Sequence, residues 1–167
     1  MGRDLFLKLE LRSDPGMLCV VRSAMERLTE EFGFAAADCR SVTRAVDEAL
    51  TNIMRHAYRG KADRPIGMLC RTVPKRSGGE SGGEGFEVLL TDEGPAVDPS
   101  KMRGRPLDEI KPGGLGLHFI RQSMDVVEFK RVKGKNQLRL IKYLQPGKQV
   151  ETGKRREDLA DFGPANR

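Results

Sequence analysis

The stretch Asp47–Tyr58 reads "DEALTNIMRHAY". Its apolar residues Ala49, Leu50, Ile53 and Ala57 recur at three- and four-residue steps, the spacing of one face of an α-helix. Extended backwards, the stripe takes in Val46, Val42 and Cys39, so the helix is predicted to begin near Ala36. Asn52 sits inside it, although asparagine is a mediocre helix former whose amide competes for nearby backbone groups. Glu48, Asn52 and His56 succeed one another at four-residue intervals, which stacks them along one side. At about 100° per residue, His56 falls at the edge of the apolar stripe, Asn52 farther round and Glu48 farther still. A carboxylate, an amide and an imidazole therefore flank a face that must be buried, where a pocket between helix and sheet would be lined. Packing is the expected role of His56.

Upstream, "DLFLKLEL" (Asp4–Leu11) alternates apolar and polar residues and reads as a half-buried strand at a sheet edge. "SDPGM" supplies cap chemistry, with Asp14 or Ser13 as N-cap and Pro15 near the first helical position. A helix is predicted from there to Phe32, with Leu18, Val21, Met25 and Leu28 inward, ended by "FGF". Downstream, "IGMLCRTV" (Ile66–Val73) and "GFEVLLTD" (Gly85–Asp92) read as two strands joined by a Gly/Ser-rich hairpin loop. Gly94–Pro112 is punctuated by prolines and has no clear period, which points to a lid or binding loop. "GGLGLHFIRQSM" opens a third helix directly from glycines, and Asp125–Leu144 reads as a hairpin turning near Lys133–Asn136. The expected organisation is one domain over residues 1–144 and a polar, frayed tail over 145–167. The order of elements predicts an α+β two-layer sandwich: a mixed, mostly antiparallel sheet with helices on one face.

Composition narrows the function classes. The chain has 167 residues, enough for one real core. No apolar run approaches the roughly 20 residues of a membrane span, and the N-terminal "MGRDLFLKLE" lacks the apolar centre of a signal peptide. Cys19, Cys39 and Cys70 are far apart and form no metal-binding spacing. They are expected to be reduced thiols in the core of a cytoplasmic protein. The net charge is +6, but 30 basic residues are interspersed with 24 acidic ones and aromatics are only 5%. Direct nucleic-acid binding is therefore not expected; a solvated charged surface is the plain reading of the charge, and an acidic protein partner is the alternative.

Three motifs carry chemistry. In the first, Glu48 can orient or deprotonate a hydroxyl, and the Asn52 amide oxygen one turn later can ligate Mg²⁺, a hard cation that keeps waters and phosphates as its other ligands. The plainer reading is two polar residues on an exposed helix face. In the second, "TDEGPAVDP" (Thr91–Pro99), Asp92 ends a strand and can accept a hydrogen bond from an exocyclic amine such as that of adenine. Gly94 allows close approach of a flat ring or of backbone; an ordinary Asx turn is the competing reading. In the third, "PGGLGLHFI" (Pro112–Ile120), glycines 113, 114 and 116 precede a helix whose free N–H groups can receive phosphate. A hinge with an N-cap is the alternative. No Walker A or Rossmann spacing is present.

Together and in this order, the motifs resemble the nucleotide-binding boxes of the GHKL ATPase superfamily. The closer resemblance is to the small anti-sigma-factor serine/threonine kinases of bacterial partner-switching systems. "VDEALTNIMRHAY" is similar to that family's E-A-x-x-N-x-x-x-H-A-Y, "LTDEGPAVDP" to its D-x-G-x-x-x-D-P, and "GGLGLHFIRQSMDVVEF" to its G-G-L-G-L helix with M-D-x-V after it. The resemblance runs from about Leu5 to Leu144 and implies the ATP-binding sandwich called the Bergerat fold. It also implies Glu48 as catalytic base and Asn52 as Mg²⁺ ligand. Asp92 and Gly94 would hold adenine, and Gly113, Gly114, Leu115, Gly116 and Leu117 would wrap the phosphates of ATP. The implied reaction moves the ATP γ-phosphate to a Ser or Thr of an anti-anti-sigma (STAS-domain) partner. A sigma factor and a second copy of the chain, as a homodimer, are the other implied partners.

Two departures stand out. Pro95, Ala96 and Val97 come directly after Gly94, so the second box has no further glycine. The last strand lacks the threonine many relatives use near adenine and offers Asn136 or Gln137 instead. Arg103, Arg105 and Lys111 of the lid could close over the γ-phosphate, or simply be solvated. A second class of function also fits the residues: a nucleotide-gated binding module with little or no kinase activity, in which ATP and ADP select the partner.

Overall fold

The computed structural model describes residues 5–74, 83–96 and 115–145. Along these the chain forms β1 (Leu5–Arg12), a 3-10 turn (Pro15–Met17), α1 (Leu18–Phe32), α2 (Ala36–Asn52) and a π-helical turn (Ile53–Ala57). It continues through β2 (Pro65–Val73), β3 (Gly85–Asp92), α3 (Leu115–Ser123), β4 (Val126–Val132) and β5 (Lys135–Tyr143). The Gly/Ser-rich loop, most of the proposed lid with its three cations, Gly113, Gly114 and the tail beyond Gln145 lie outside the described residues.

Local chemistry explains the boundaries. Asp14, not Ser13, is the cap: its Oδ1 accepts the Gly16 N–H at 2.8 Å, with Pro15 opening the turn. Ser13 instead bonds Lys61 O and receives the Arg64 N–H at 3.0 Å, tying the end of β1 to the approach to β2. α1 buries Leu18, Val21, Met25 and Thr29, with Leu28 only partly covered. It stops at Gly33, whose φ of 101° is the left-handed conformation that glycine adopts without penalty.

The sheet order is β1-β2-β3-β5-β4. The expectation of a mixed sheet is sharpened: every pairing among the described strands is antiparallel. β1 is an edge strand, as expected. Alternation sends Ile66, Met68 and Cys70 of β2, Phe86, Val88 and Leu90 of β3 and Leu140 of β5 to one face, where they share a core with α1, α2 and α3. Phe6, Phe32, Phe34 and Phe86 close one end of that core with ring centroids 5.2–6.2 Å apart. Cys39 and Cys70 are core residues, and burial pushes the Cys70 thiol up to about 12. Cys19 is exposed on α1, against expectation.

The opposite face carries no described helix. There Arg71, Glu87, Arg139 and Glu128 form a ladder across β2, β3, β5 and β4. Glu87 is 0% exposed and accepts from both guanidinium groups, Arg139 Nε lying 2.6 Å from its Oε2. Among the described residues no helix is long and apolar enough to cross a membrane.

Candidate active site

α2 turns the stripe Cys39, Val42, Val46, Ala49 and Leu50 onto the sheet. Glu48 and Asn52, one turn apart, are left partly buried at the margin of that stripe. α3 packs along the same margin. Arg44 Cζ lies 4.3 Å from the centre of the Phe119 ring. One turn on, the Glu48 carboxylate lies against Gly116: a Cβ at position 116 would fall 1.8 Å from Oε1 and 2.6 Å from Cδ. The Asn52 side chain makes no hydrogen bond within the described residues, so its amide oxygen is available to a ligand.

Immediately after Asn52 the helix widens. Tyr58 N–H reaches back to Ile53 O at 3.0 Å across the π-helical turn. The extra residue in that turn rotates the side chains beyond it about the helix axis. His56 is consequently exposed, and the expectation that it packs on the line of Glu48 and Asn52 does not hold. The same widening brings Ala57 against Gly94, where a Cβ would lie 2.7 Å from that of Ala57 and 2.8 Å from Asp92 Oδ1. Tyr58 is buried; its hydroxyl donates to Pro65 O at 2.5 Å and accepts the Glu93 N–H at 2.8 Å. Burial raises the pKa of that phenol above its usual value.

Asp92 ends β3 and is only 6% exposed. Its Oδ1 accepts the Gly94 N–H at 2.8 Å and Asn136 Nδ2 at 2.9 Å. Its Oδ2 takes no hydrogen bond from the described residues. Asn136, 0% exposed, also donates to Pro95 O at 3.0 Å, while its Oδ1 accepts from Arg131 Nη1 at 2.6 Å. A guanidinium only donates, so this contact fixes which way the amide faces. Arg131 reaches Gly94 O as well, at 3.2 Å. Of the two candidates on the last strand, Asn136 is thus the one beside Asp92; Gln137 points to the other face of the sheet.

The structure therefore joins Asp92 and Gly94 to the end of the helix that carries Glu48 and Asn52, and joins Glu48 to Gly116. Leu115 begins α3 and Leu117 is half-buried in its first turn. Gly113 and Gly114 fall outside the described residues. Tyr58 and Arg131 were not singled out from sequence, and Ala57 only as a member of the apolar stripe. Arg131 was nonetheless findable: a two-residue turn at Lys133–Gly134 places it opposite Asn136 in the β4–β5 register. The residues present suit Mg²⁺·ATP: an unengaged amide oxygen for a hard cation and a buried carboxylate with one open oxygen for an amine donor.

The fold and these residues define a histidine kinase-like ATPase domain, and the chain belongs to that family, whose pattern matches residues 11–142. The chain is also similar to named serine-protein kinases. The chain is 30% identical over 134 residues to serine-protein kinase RsbW of Halalkalibacterium halodurans, covering 75% of each chain. It is 26% identical over 158 residues to serine-protein kinase RsbW of Bacillus cereus, covering 89% of this chain and 91% of that one. Among solved structures, the fold is shared with the SiaB–SiaC complex from Pseudomonas aeruginosa (TM-score 0.58, 11% identity, 83% of this chain and 89% of the other). It is shared too with the RsbU and RsbW domains of Rv1364c from Mycobacterium tuberculosis (TM-score 0.53, 15% identity, 87% of this chain). The chain spans 35% of that larger protein's length.

Proposed function

We propose that this protein is an ATP-dependent serine/threonine kinase that phosphorylates a STAS-type anti-anti-sigma partner and sequesters a sigma factor, acting in the cytoplasm with Mg²⁺ as metal. The observation that carries the nucleotide half of this reading is Asp92: buried, with Oδ1 doubly occupied and Oδ2 left for an outside donor. The adenine amine is such a donor, and Gly94 removes the side chain that would otherwise stand beside it. The kinase half rests on Glu48 and on the named relatives.

In the reaction, the partner's hydroxyl oxygen forms a bond to the γ-phosphorus as the bond from that phosphorus to the β,γ-bridging oxygen breaks. ADP leaves, and Glu48 accepts the hydroxyl proton. Mg²⁺, when bound, offsets the phosphate charge. The Asn52 amide oxygen would hold it, and Asp92 would hold the base of the nucleotide. Gly113, Gly114, Leu115, Gly116 and Leu117 would form the phosphate-side turn.

Incubating the chain with Mg²⁺, γ-labelled ATP and a cognate STAS-domain protein tests this. Label should move to the partner, and Glu48→Gln should slow the transfer about 10²–10⁴-fold. Tight, nucleotide-dependent partner binding without any transfer would establish the gated binding module instead.

A further inference from the structure

We infer that Gly116 is a positioning residue for Glu48: the carboxylate of the proposed base is seated in the notch that the missing side chain leaves in the first turn of α3. The inference rests on the assignment of Glu48 as base and changes the job of Gly116, whose expected role is to let phosphate approach. Three observations carry it. A Cβ at 116 would lie 1.8 Å from Glu48 Oε1, 2.6 Å from Cδ and 3.0 Å from Cγ, so the space is already filled by Glu48. Gly116 lies within α3 and is not among the positive-φ glycines, which are Gly33, Gly60 and Gly134. Any residue could adopt its backbone, and alanine would make a better helix there. What excludes alanine is therefore Glu48. Finally, the Arg44–Phe119 contact lies one turn away on both helices, so α2 and α3 are in register along this margin.

The obstructing atoms are the far end of a flexible side chain, not backbone. A methyl at 116 is therefore accommodated by Glu48 swinging out, while α2 and α3 keep their packing. The cost falls on the geometry of proton transfer and not on the fold. The first turn of α3 thereby sets where the base stands.

The test uses the full chain and Gly116→Ala, alone and combined with changes at Glu48. Expected is an unchanged or higher melting temperature, unchanged Mg·ATP affinity and unchanged KM for the partner, with kcat lowered about 10²–10⁴-fold, the range of a lost general base. Adding Gly116→Ala to Glu48→Gln should slow transfer no further, because both act through one group. In a Glu48→Ala background, which removes the obstructing atoms, Gly116→Ala should raise the melting temperature. Loss of nucleotide affinity with kcat retained would overturn the inference in favour of phosphate contact. A double variant slower than Glu48→Gln alone would overturn it too. Wild-type transfer by Glu48→Gln would instead reject Glu48 as base. The melting comparison would still decide the seat, since no stabilisation by alanine once Glu48 is truncated means the notch was not its place.

Discussion

Glu48 and Asn52 stand one turn apart on α2, yet their surroundings differ. Glu48 leans on α3, whereas Asn52 closes the regular helix where the winding widens. Their proposed tasks are correspondingly separable. Asn52→Ala should weaken Mg²⁺-dependent ATP binding by about 100-fold, the upper end of losses around metal sites, as read by calorimetry. Glu48→Gln should bind ATP normally and slow phosphotransfer about 10²–10⁴-fold. Equal loss of binding in both would mean that the two residues serve a single contact. Asn136 makes the sharper residue-scale case. Replacing it with leucine removes the donor to Asp92 Oδ1 and to Pro95 O and the acceptor for Arg131. The expected cost is about 1–3 kcal/mol of stability, from buried polar groups left without partners. ATP affinity should fall while Gln137→Leu, on the other face, leaves it intact. The sequence offered Asn136 and Gln137 as equals. They differ by one residue, and only a strand register decides which of the two faces the carboxylate.

At the scale of the element, the decisive feature is the π-helical turn Ile53–Ala57. Periodicity predicted one continuous helix through this segment, and it located the buried residue Ile53 on the correct side but not its buried neighbour Met54. It could not register the added residue, because a widened turn is stabilised by tertiary contacts and has no compositional signature of its own. Those contacts are visible at Ala57, pressed on Gly94, and at Tyr58, whose hydroxyl links Pro65 to Glu93. Tyr58→Phe keeps the ring and removes both bonds. It should cost about 1–3 kcal/mol in urea unfolding and weaken ATP binding, because the residues beside Asp92 lose their anchor. An unaltered nucleotide affinity would show that the Asp92–Asn136 bonds hold this segment unaided.

For the whole molecule, the face of the sheet that carries no described helix has its own test. Glu87 is fully buried between Arg71 and Arg139, which are themselves 24% and 30% exposed. Changing both arginines to methionine strands a buried carboxylate and should cost about 3–5 kcal/mol in urea unfolding; adding Glu87→Leu should recover most of it. A triple variant as unstable as the double would mean the ladder fixes the sheet by more than charge. At its outer end, the hydrogen bond from Arg139 holds the Glu128 carboxyl below the usual carboxylate range. The unfolded chain then takes up this proton first as pH falls. The Glu128 contribution is therefore present at neutral pH and disappears as the solution is acidified through its lowered pKa. Glu128→Gln should flatten that part of the acid unfolding curve by about 0.5 kcal/mol, the scale of a solvent-screened pair.

By itself the sequence determined the helix and strand segments, the face each buries, a hairpin turn near Lys133–Asn136 and the order of the three motifs, because each is set by local spacing and backbone chemistry. Tertiary structure alone decided that Asn136 locks Asp92 from 44 residues away, that His56 is turned out to solvent, and that Gly116 makes room for Glu48. Those outcomes depend on sheet register and on helix-to-helix contact, which join residues that no local period relates.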